Sequence, residues 1–350
     1  MPSPSDTTSP TNAPHNPWRF CTAPMMEWSD AHCRFFWRLI TKEARLYTEM
    51  VTTPALIHGN RARFLAFNKE EHPIALQLGG SNPQELAECA KMAEDAGFDE
   101  VNLNCGCPSD RVQENKIGAC LMAEPELVGD CIQAMKNAVD IPVTVKHRIG
   151  IDDQDSVEHL QHFVRTLSTA GCEVFIVHAR KAWLKGLSPK ENREIPPLQY
   201  EAVYALKTLY PQHTFVLNGG LNTLEQCQQQ LGPLDGVMVG REMYHNPYSF
   251  AHVDALLFNG TAPASREDIL AEFMTYCWQQ HKKGVRLHHM SRHILGIYTA
   301  QHGGRLFRRF LSDNASPKDA TPAVLQEALD EMIALQAKRE AYLQASKAKT

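Results

Sequence analysis

Between residues 19 and 241, short apolar and β-branched runs alternate with stretches whose apolar positions recur at helical spacing. The runs predict eight strands: Arg19 to Met26, Leu46 to Thr52, Ile74 to Gly80, Glu100 to Cys107, Val143 to Gly150, Val174 to Arg180, Thr214 to Gly220 and Gly236 to Arg241. Between the third and fourth the helix signal is plain, with Asn82 as N-cap, Pro83 at the first helical position, Leu86, Ala90, Ala93 and Ala96 on one face, and Gly97 as terminator. Strand, helix, strand is the parallel crossover unit. Eight such strands over about 220 residues fit an α/β fold of the (β/α)8 TIM barrel type, whose usual size is roughly 250 residues. The rival, an open doubly wound sheet, wants a Gly-x-Gly-x-x-Gly turn after an early strand, and none occurs.

From about Asn259 the strand signals stop, and two helical patterns follow, Arg266 to Lys283 and Pro322 to Lys349. They predict a small C-terminal all-helical domain over residues 259–350, after a barrel over residues 18–258. In the second pattern Leu325, Leu329, Met332 and Leu335 have the spacing of plain packing. Residues 1–17, with Pro2, Pro4, Pro10, Pro14 and Pro17 among Ser, Thr and Asn, read as a disordered tail without the features of a secretory or transit signal.

At 43% hydrophobic and 21% charged residues, the 350-residue chain has material for a large core. No apolar run approaches the roughly 20 residues of a membrane span, so no membrane is expected and a cytoplasmic location is. Its ten cysteines form no Cys-x-x-Cys pair and read as reduced thiols, with no metal site expected. The net charge of −5 hides an asymmetry. His281 to Phe310 holds Lys282, Lys283, Arg286, Arg292, Arg305, Arg308 and Arg309 without one Asp or Glu. Either this is a solvated helix face, or an anionic partner binds there.

Side chains on barrel strands alternate in and out, and functional groups come from the C-terminal strand ends. Leu76 and Leu78, Val101 and Leu103, Val143 and Val145, Phe175 and Val177, and Phe215 and Leu217 occupy outward positions, which leaves Gln77, Asn104, Lys146, His178 and Asn218 pointing in. Any one of these could be a satisfied core residue. Five at the same level predict a polar ligand, because burying unpaired polar groups is costly. The last two strands end in Asn218-Gly219-Gly220 and Gly240-Arg241, where barrels often bind phosphate through glycine N–H groups. A phosphate at one end and a hydrogen-bonding ring in the mouth is the shape of flavin mononucleotide (FMN). Lys146 would find its counter-charge at the ring of the reduced flavin. Pro24, Met25 and Met26 offer either a platform for that ring or core filler. Gly106 and Pro108 bracket Cys107 in a turn, where it is either a buried structural thiol or a proton donor.

These residues resemble the tRNA-dihydrouridine synthases, flavoenzymes that reduce uridines in tRNA, over about residues 18 to 335 and most closely in their A-type branch. The resemblance rests on Ala23-Pro24-Met25, Asn104 to Pro108, Lys146-His147-Arg148-Ile149-Gly150, Val177-His178-Ala179-Arg180, Asn218-Gly219-Gly220 and Gly240-Arg241, in this order. It implies that Gln77, Lys146, His178, Asn218, Gly219, Gly220, Gly240 and Arg241 hold FMN and that Cys107 is the general acid. It also implies a C-terminal helical domain that grips tRNA, where Gly303 to Arg309 matches in outline. The chemistry it implies is reduction of the flavin by NADPH, flipping of a uridine into the barrel mouth, hydride transfer to C6 of the uracil and protonation of C5 by Cys107. Asn104 is placed to bond the uracil edge. Lys185, Lys190 and Arg193, in a long loop after the sixth strand, together with Arg305, Arg308 and Arg309, are expected to meet tRNA phosphates. The A-type branch implies D-loop positions 20 and 20a. Rival readings are a flavin barrel acting on a small dihydropyrimidine, a non-catalytic RNA-binding module, and a Schiff-base aldolase using Lys146.

Overall fold

A computed structural model describes residues 16–109 and 115–347. Most of the proline-rich tail lies outside the described residues. All eight expected strands form: β1 (Phe20–Thr22), β2 (Leu46–Thr52), β3 (Ile74–Gly79), β4 (Glu100–Cys105), β5 (Val143–Arg148), β6 (Val174–His178), β7 (Thr214–Asn218) and β8 (Gly236–Val239). Several stop short of the expected C-terminal ends. Ala23 to Met26, Gly106 and Cys107, and Gly219 and Gly220 leave the ladder and become the loops of the mouth. Every pairing is parallel, in the order β1-β8-β7-β6-β5-β4-β3-β2. Arg45 joins the two ends: its N–H donates to Phe20 O and its carbonyl accepts from Thr22 N–H, both at 3.0 Å.

The helices of the barrel are α1 (Ala31–Ile40), α2 (Thr53–His58), α3 (Arg61–Phe64), α4 (Pro83–Ala96), α5 (Pro125–Ala138), α6 (Val157–Thr169), α7 (Tyr200–Leu209), α8 (Leu224–Gln230), α9 (Arg241–His245) and α10 (Val253–Leu257). At α4 the local code works as read: Asn82 Oδ1 accepts from Gln84 and Glu85 N–H at 3.0 and 3.1 Å, and Gly97 closes the helix at φ 94°. The outward pairs of β3 to β7 are buried against this helical layer. The inward positions Cys21, Ala23, Tyr47, Ala75, Ile176, Val216 and Met238 pack as a separate inner cluster. Below it lies a charge. Glu100 has no exposed surface and accepts from Trp18 Nε1 and Tyr47 Oη, each at 2.7 Å, and from Thr144 Oγ1, with Arg45 Nη1 at 3.2 Å.

Residues beyond 258 form α11 (Arg266–Lys282), α12 (Leu287–Ser291), α13 (Gly304–Asn314) and α14 (Ala323–Lys347). They dock on α1: Phe35 stacks on Tyr276 with centroids 4.0 Å apart, and His32 Nδ1 lies 2.7 Å from Tyr276 Oη. Leu325, Leu329 and Met332 pack as expected, but Leu335 is exposed because α14 runs on past the helices that cover its first turns. Arg292 is not a free cation either. It pairs with Asp30 at 2.7 Å, so the barrel supplies an acid that its own segment lacks. Among the described residues, no helix is long and apolar enough to cross a membrane.

Candidate active site

Lys146 ends up beside Asn218, to which its Nζ donates at 3.0 Å, while Asn218 Nδ2 is held by Met238 O at 2.8 Å. Among the described residues no carboxylate pairs with this amine. Burial and the neighbouring Arg148 push Lys146 down to about 7, with Cys107 acting the other way. His178 is held well below its usual range, first by burial and then by Arg148, Lys146 and Arg180, so it stands in the mouth as a neutral imidazole.

Gln77 and Asn104 meet at the mouth and begin a ladder that runs down to the charged floor. Asn104 Nδ2 donates to Gln77 Oε1, Gln77 Nε2 to Asn102 Oδ1 and Asn102 Nδ2 to Thr144 Oγ1, each at 2.8 Å. Asn104 Oδ1 accepts from both Gly106 and Cys107 N–H at 3.0 Å. Its oxygen therefore shapes the turn that carries Cys107, and the second Nδ2 N–H has no partner among the described residues. Arg148 locks the same turn. Almost fully buried, it donates from Nε to Gly106 O at 2.9 Å and from Nη1 to Lys181 O and Asn192 O at 3.0 Å, which ties the Cys107 loop to the long loop after β6. Asn192 in turn holds Trp183 through both backbone groups. The motifs contained Arg148 without suggesting a role for it; its position two residues after Lys146 at the end of β5 was the only signal.

Across the mouth, Gly219 and Gly220 take φ values of 112° and 71°. A Cβ on Gly219 would stand 2.8 Å from His178 Cδ2 and one on Gly220 2.4 Å from Leu198 Cδ1, so the side chains of His178 and Leu198 already occupy the space a Cβ would need. Gly240 faces Ala23 and Met25. Arg241 pairs with Glu194 at 2.6 Å, and Arg180 donates to the carbonyls of Glu194 and Pro196. Arg180 Nε is buried without a described partner. Burial pulls Arg180 below its usual range, and Arg241 depresses it further; Arg241 also lies near enough to Arg193 to depress it. Lys146, Arg148, Arg180, Arg193 and Arg241 thus share one rim, where Glu194, paired with Arg241, is the carboxylate that pairs with them among the described residues. This rim fits an anionic ligand: cations predominate and one guanidinium nitrogen is buried without a described partner.

The β1 loop divides in two. Met25 N–H donates to Ser29 Oγ at 2.9 Å and its side chain packs on the inner cluster, whereas Met26 is 60% exposed. Lys185, Lys190 and Arg193 are exposed on the loop after β6. Arg305, Arg308 and Arg309, three and four residues apart, share one exposed face of α13. Arg286 is anchored instead to Ser316 O at 2.8 Å.

The family model described as dihydrouridine synthase (Dus) matches residues 21–334, from β1 into α14. The chain belongs to the dihydrouridine synthase family. It is 58% identical over 313 residues to the tRNA-dihydrouridine(20/20a) synthase of Vibrio vulnificus, covering 89% of this chain and 96% of that protein. It is 58% identical over 302 residues to the protein of that name from Shewanella oneidensis, 86% of this chain and 90% of that one. The Pseudomonas aeruginosa protein of the same name is 55% identical over 323 residues, 92% and 97% of the two chains. As a dihydrouridine synthase the chain is an enzyme, which sets aside the aldolase and the non-catalytic RNA module. The motifs at the strand ends of this dihydrouridine synthase are the residues that the fold gathers at one mouth.

Proposed function

We propose that the chain reduces uridine to 5,6-dihydrouridine in tRNA, at positions 20 and 20a, with FMN as its bound cofactor and NADPH as reductant. The names of its relatives support the substrate. The cation-rich rim beside the Gly219-Gly220 cradle carries the cofactor reading. Gly219, Gly220, Gly240, Arg241 and the unpartnered Nε of Arg180 would hold the phosphate; Gln77, Lys146, His178 and Asn218 the polar edge of the ring; Pro24, Met25 and Met26 its flank. When bound, FMN supplies the hydride chemistry that no side chain can. Lys146, uncompensated by any described carboxylate, would supply positive charge beside the ring.

Cys107 gives its Sγ proton to C5 of the uracil as general acid. The thiolate left behind faces Lys146, Arg148 and Arg193, all of which interact with Cys107 electrostatically. Asn104 and Arg148 hold the turn so that the thiol meets the ring, and the spare N–H of Asn104 reaches a uracil oxygen. Residues 259–350 carry tRNA affinity through Arg305, Arg308 and Arg309, and Lys185, Lys190 and Arg193 contact phosphates at the rim.

Mapping dihydrouridine in tRNA from cells lacking the protein tests activity and position together: loss at positions 20 and 20a is expected. Unchanged dihydrouridine, or a colourless purified protein that cannot be reconstituted with FMN, overturns the reading.

A further inference from the structure

Beside the mouth, and apart from the glycine cradle, a cavity of about 470 Å³ opens between the β1–α1 turn, the end of β2, α3 and the segment around α12. That volume lies in the range of ligand pockets, about 300–1,000 Å³. Because the barrel and the C-terminal helices each supply part of the wall, the site exists only in the assembled chain. Met26, Met50, Phe64 and Val285 give it apolar surfaces against which a base can pack.

Its polar groups differ in how far they are spent. Asp30 caps α1 through His32 and Cys33 N–H and binds Arg292 and His293, so its oxygens are occupied. Glu49 is half-buried, accepts from Glu27 N–H through Oε1, and has no described partner at Oε2. Arg63 forms no ion pair among the described residues, and Arg292 pairs with Asp30 and is also drawn by Glu49. The cavity therefore combines apolar walls, two carboxylates with oxygens to spare, half-buried Glu49 inside and exposed Glu27 at the edge, and cations at the rim.

We infer that this cavity is a second nucleotide site, which takes a guanine flanking the reactive uridine of the RNA. The inference rests on the proposed action on tRNA and names a determinant of its specificity. A carboxylate accepts two parallel N–H bonds, and guanine is the base whose Watson–Crick edge offers two adjacent donors, N1–H and the 2-amino group. Uracil, cytosine and adenine each present one. Arg63 and Arg292 neutralise the phosphates on either side of the bound nucleotide. Holding a neighbouring base out of its stack also lowers the cost of flipping the uridine into the mouth.

Unmodified tRNA transcripts, in which each guanosine within two nucleotides of the reactive uridine is replaced in turn by inosine, test this directly, since inosine lacks the 2-amino group. One replacement is expected to lower kcat/KM of the wild type about tenfold, as befits a lost hydrogen bond to a charged group. Glu49→Gln should show that loss on the unreplaced transcript and no further loss with inosine. Ala66→Trp, at an exposed position on the cavity wall, should lower kcat/KM for tRNA while flavin content and NADPH oxidation without tRNA stay unchanged. Equal sensitivity of the wild type and Glu49→Gln to every inosine overturns the inference. So does a raised KM for NADPH with unchanged tRNA kinetics, which would assign the cavity to the reductant. A wild type that forms dihydrouridine on no transcript overturns the proposed function itself, whatever the variants do.

Discussion

The floor and the mouth of this barrel both bury charge, and they treat it in opposite ways. On the floor Glu100 accepts from Trp18, Tyr47 and Thr144 and pairs with Arg45, so its carboxylate is spent. At the mouth, among the described residues, Arg241 alone of the five cations has a carboxylate partner; Arg148 and Arg180 donate to backbone carbonyls, Lys146 leans on a neutral amide, and Arg180 Nε has no described partner. A charge enclosed and paired specifies the fold, whereas cations crowded with few carboxylates suit an anionic ligand. The Gln77-Asn102-Thr144 ladder joins the two ends, so the site's first amides are oriented from below by the structural network.

Chemistry at the mouth should break most completely at Cys107. Cys107→Ala is expected to lower dihydrouridine formation by about 10²- to 10⁴-fold. Flavin content and reduction by NADPH should stay intact, and Cys105→Ala, which faces the helical layer, should turn over tRNA normally. Normal turnover by Cys107→Ala would move the proton donor elsewhere.

On the floor the expected loss is of stability. Glu100→Ala leaves Arg45 buried without its carboxylate and should cost about 3–5 kcal/mol, read from denaturant midpoints. A change near zero would mean that water replaces the pair, and the contrast between the two ends would fail.

Away from the barrel, changing Arg305, Arg308 and Arg309 together to Ala should weaken tRNA binding and flatten its salt dependence, by about 0.9 in the log–log slope for each duplex phosphate that is no longer neutralised. Flavin content is the internal control. An unchanged slope would shift the RNA surface to the loop of Lys185 to Arg193.

The mouth can also be distinguished by pH. Burial and Arg148 push Lys146 down to about 7 from an ordinary value of 10.5, so between these limits the unfolded chain binds the extra proton. Its penalty is present in full below pH 7 and is relieved as pH rises, so stability should climb across that window. Lys146→Met should remove this increment from the difference between wild type and variant. Identical pH profiles would mean the amine is solvated.

What was legible in the sequence follows from local rules. Alternation with period two separates Leu76 and Leu78 from Gln77 whatever the partner strand, and Asn82, Pro83 and Gly97 bound their helix through their own backbone chemistry. The strand-end motifs were legible as well, because a barrel places every C-terminal strand end on one face. Leu335 shows the limit of this: its spacing was right for packing, yet burial depends on how far a neighbouring helix extends.

The sequence by itself determined the eight strands, their inward polar residues and the glycines that turn the chain with positive φ after β7. Only the tertiary structure decided that Glu100 is neutralised by Arg45, that Asp30 reaches Arg292 across the helical docking surface, and that Arg148 staples the Cys107 turn to the loop after β6. Only it placed Glu49 in a cavity. Each of these depends on groups far apart in the chain, and a polar group's partner is set by which atoms barrel closure brings within hydrogen-bond reach, a distance that local periodicity does not encode.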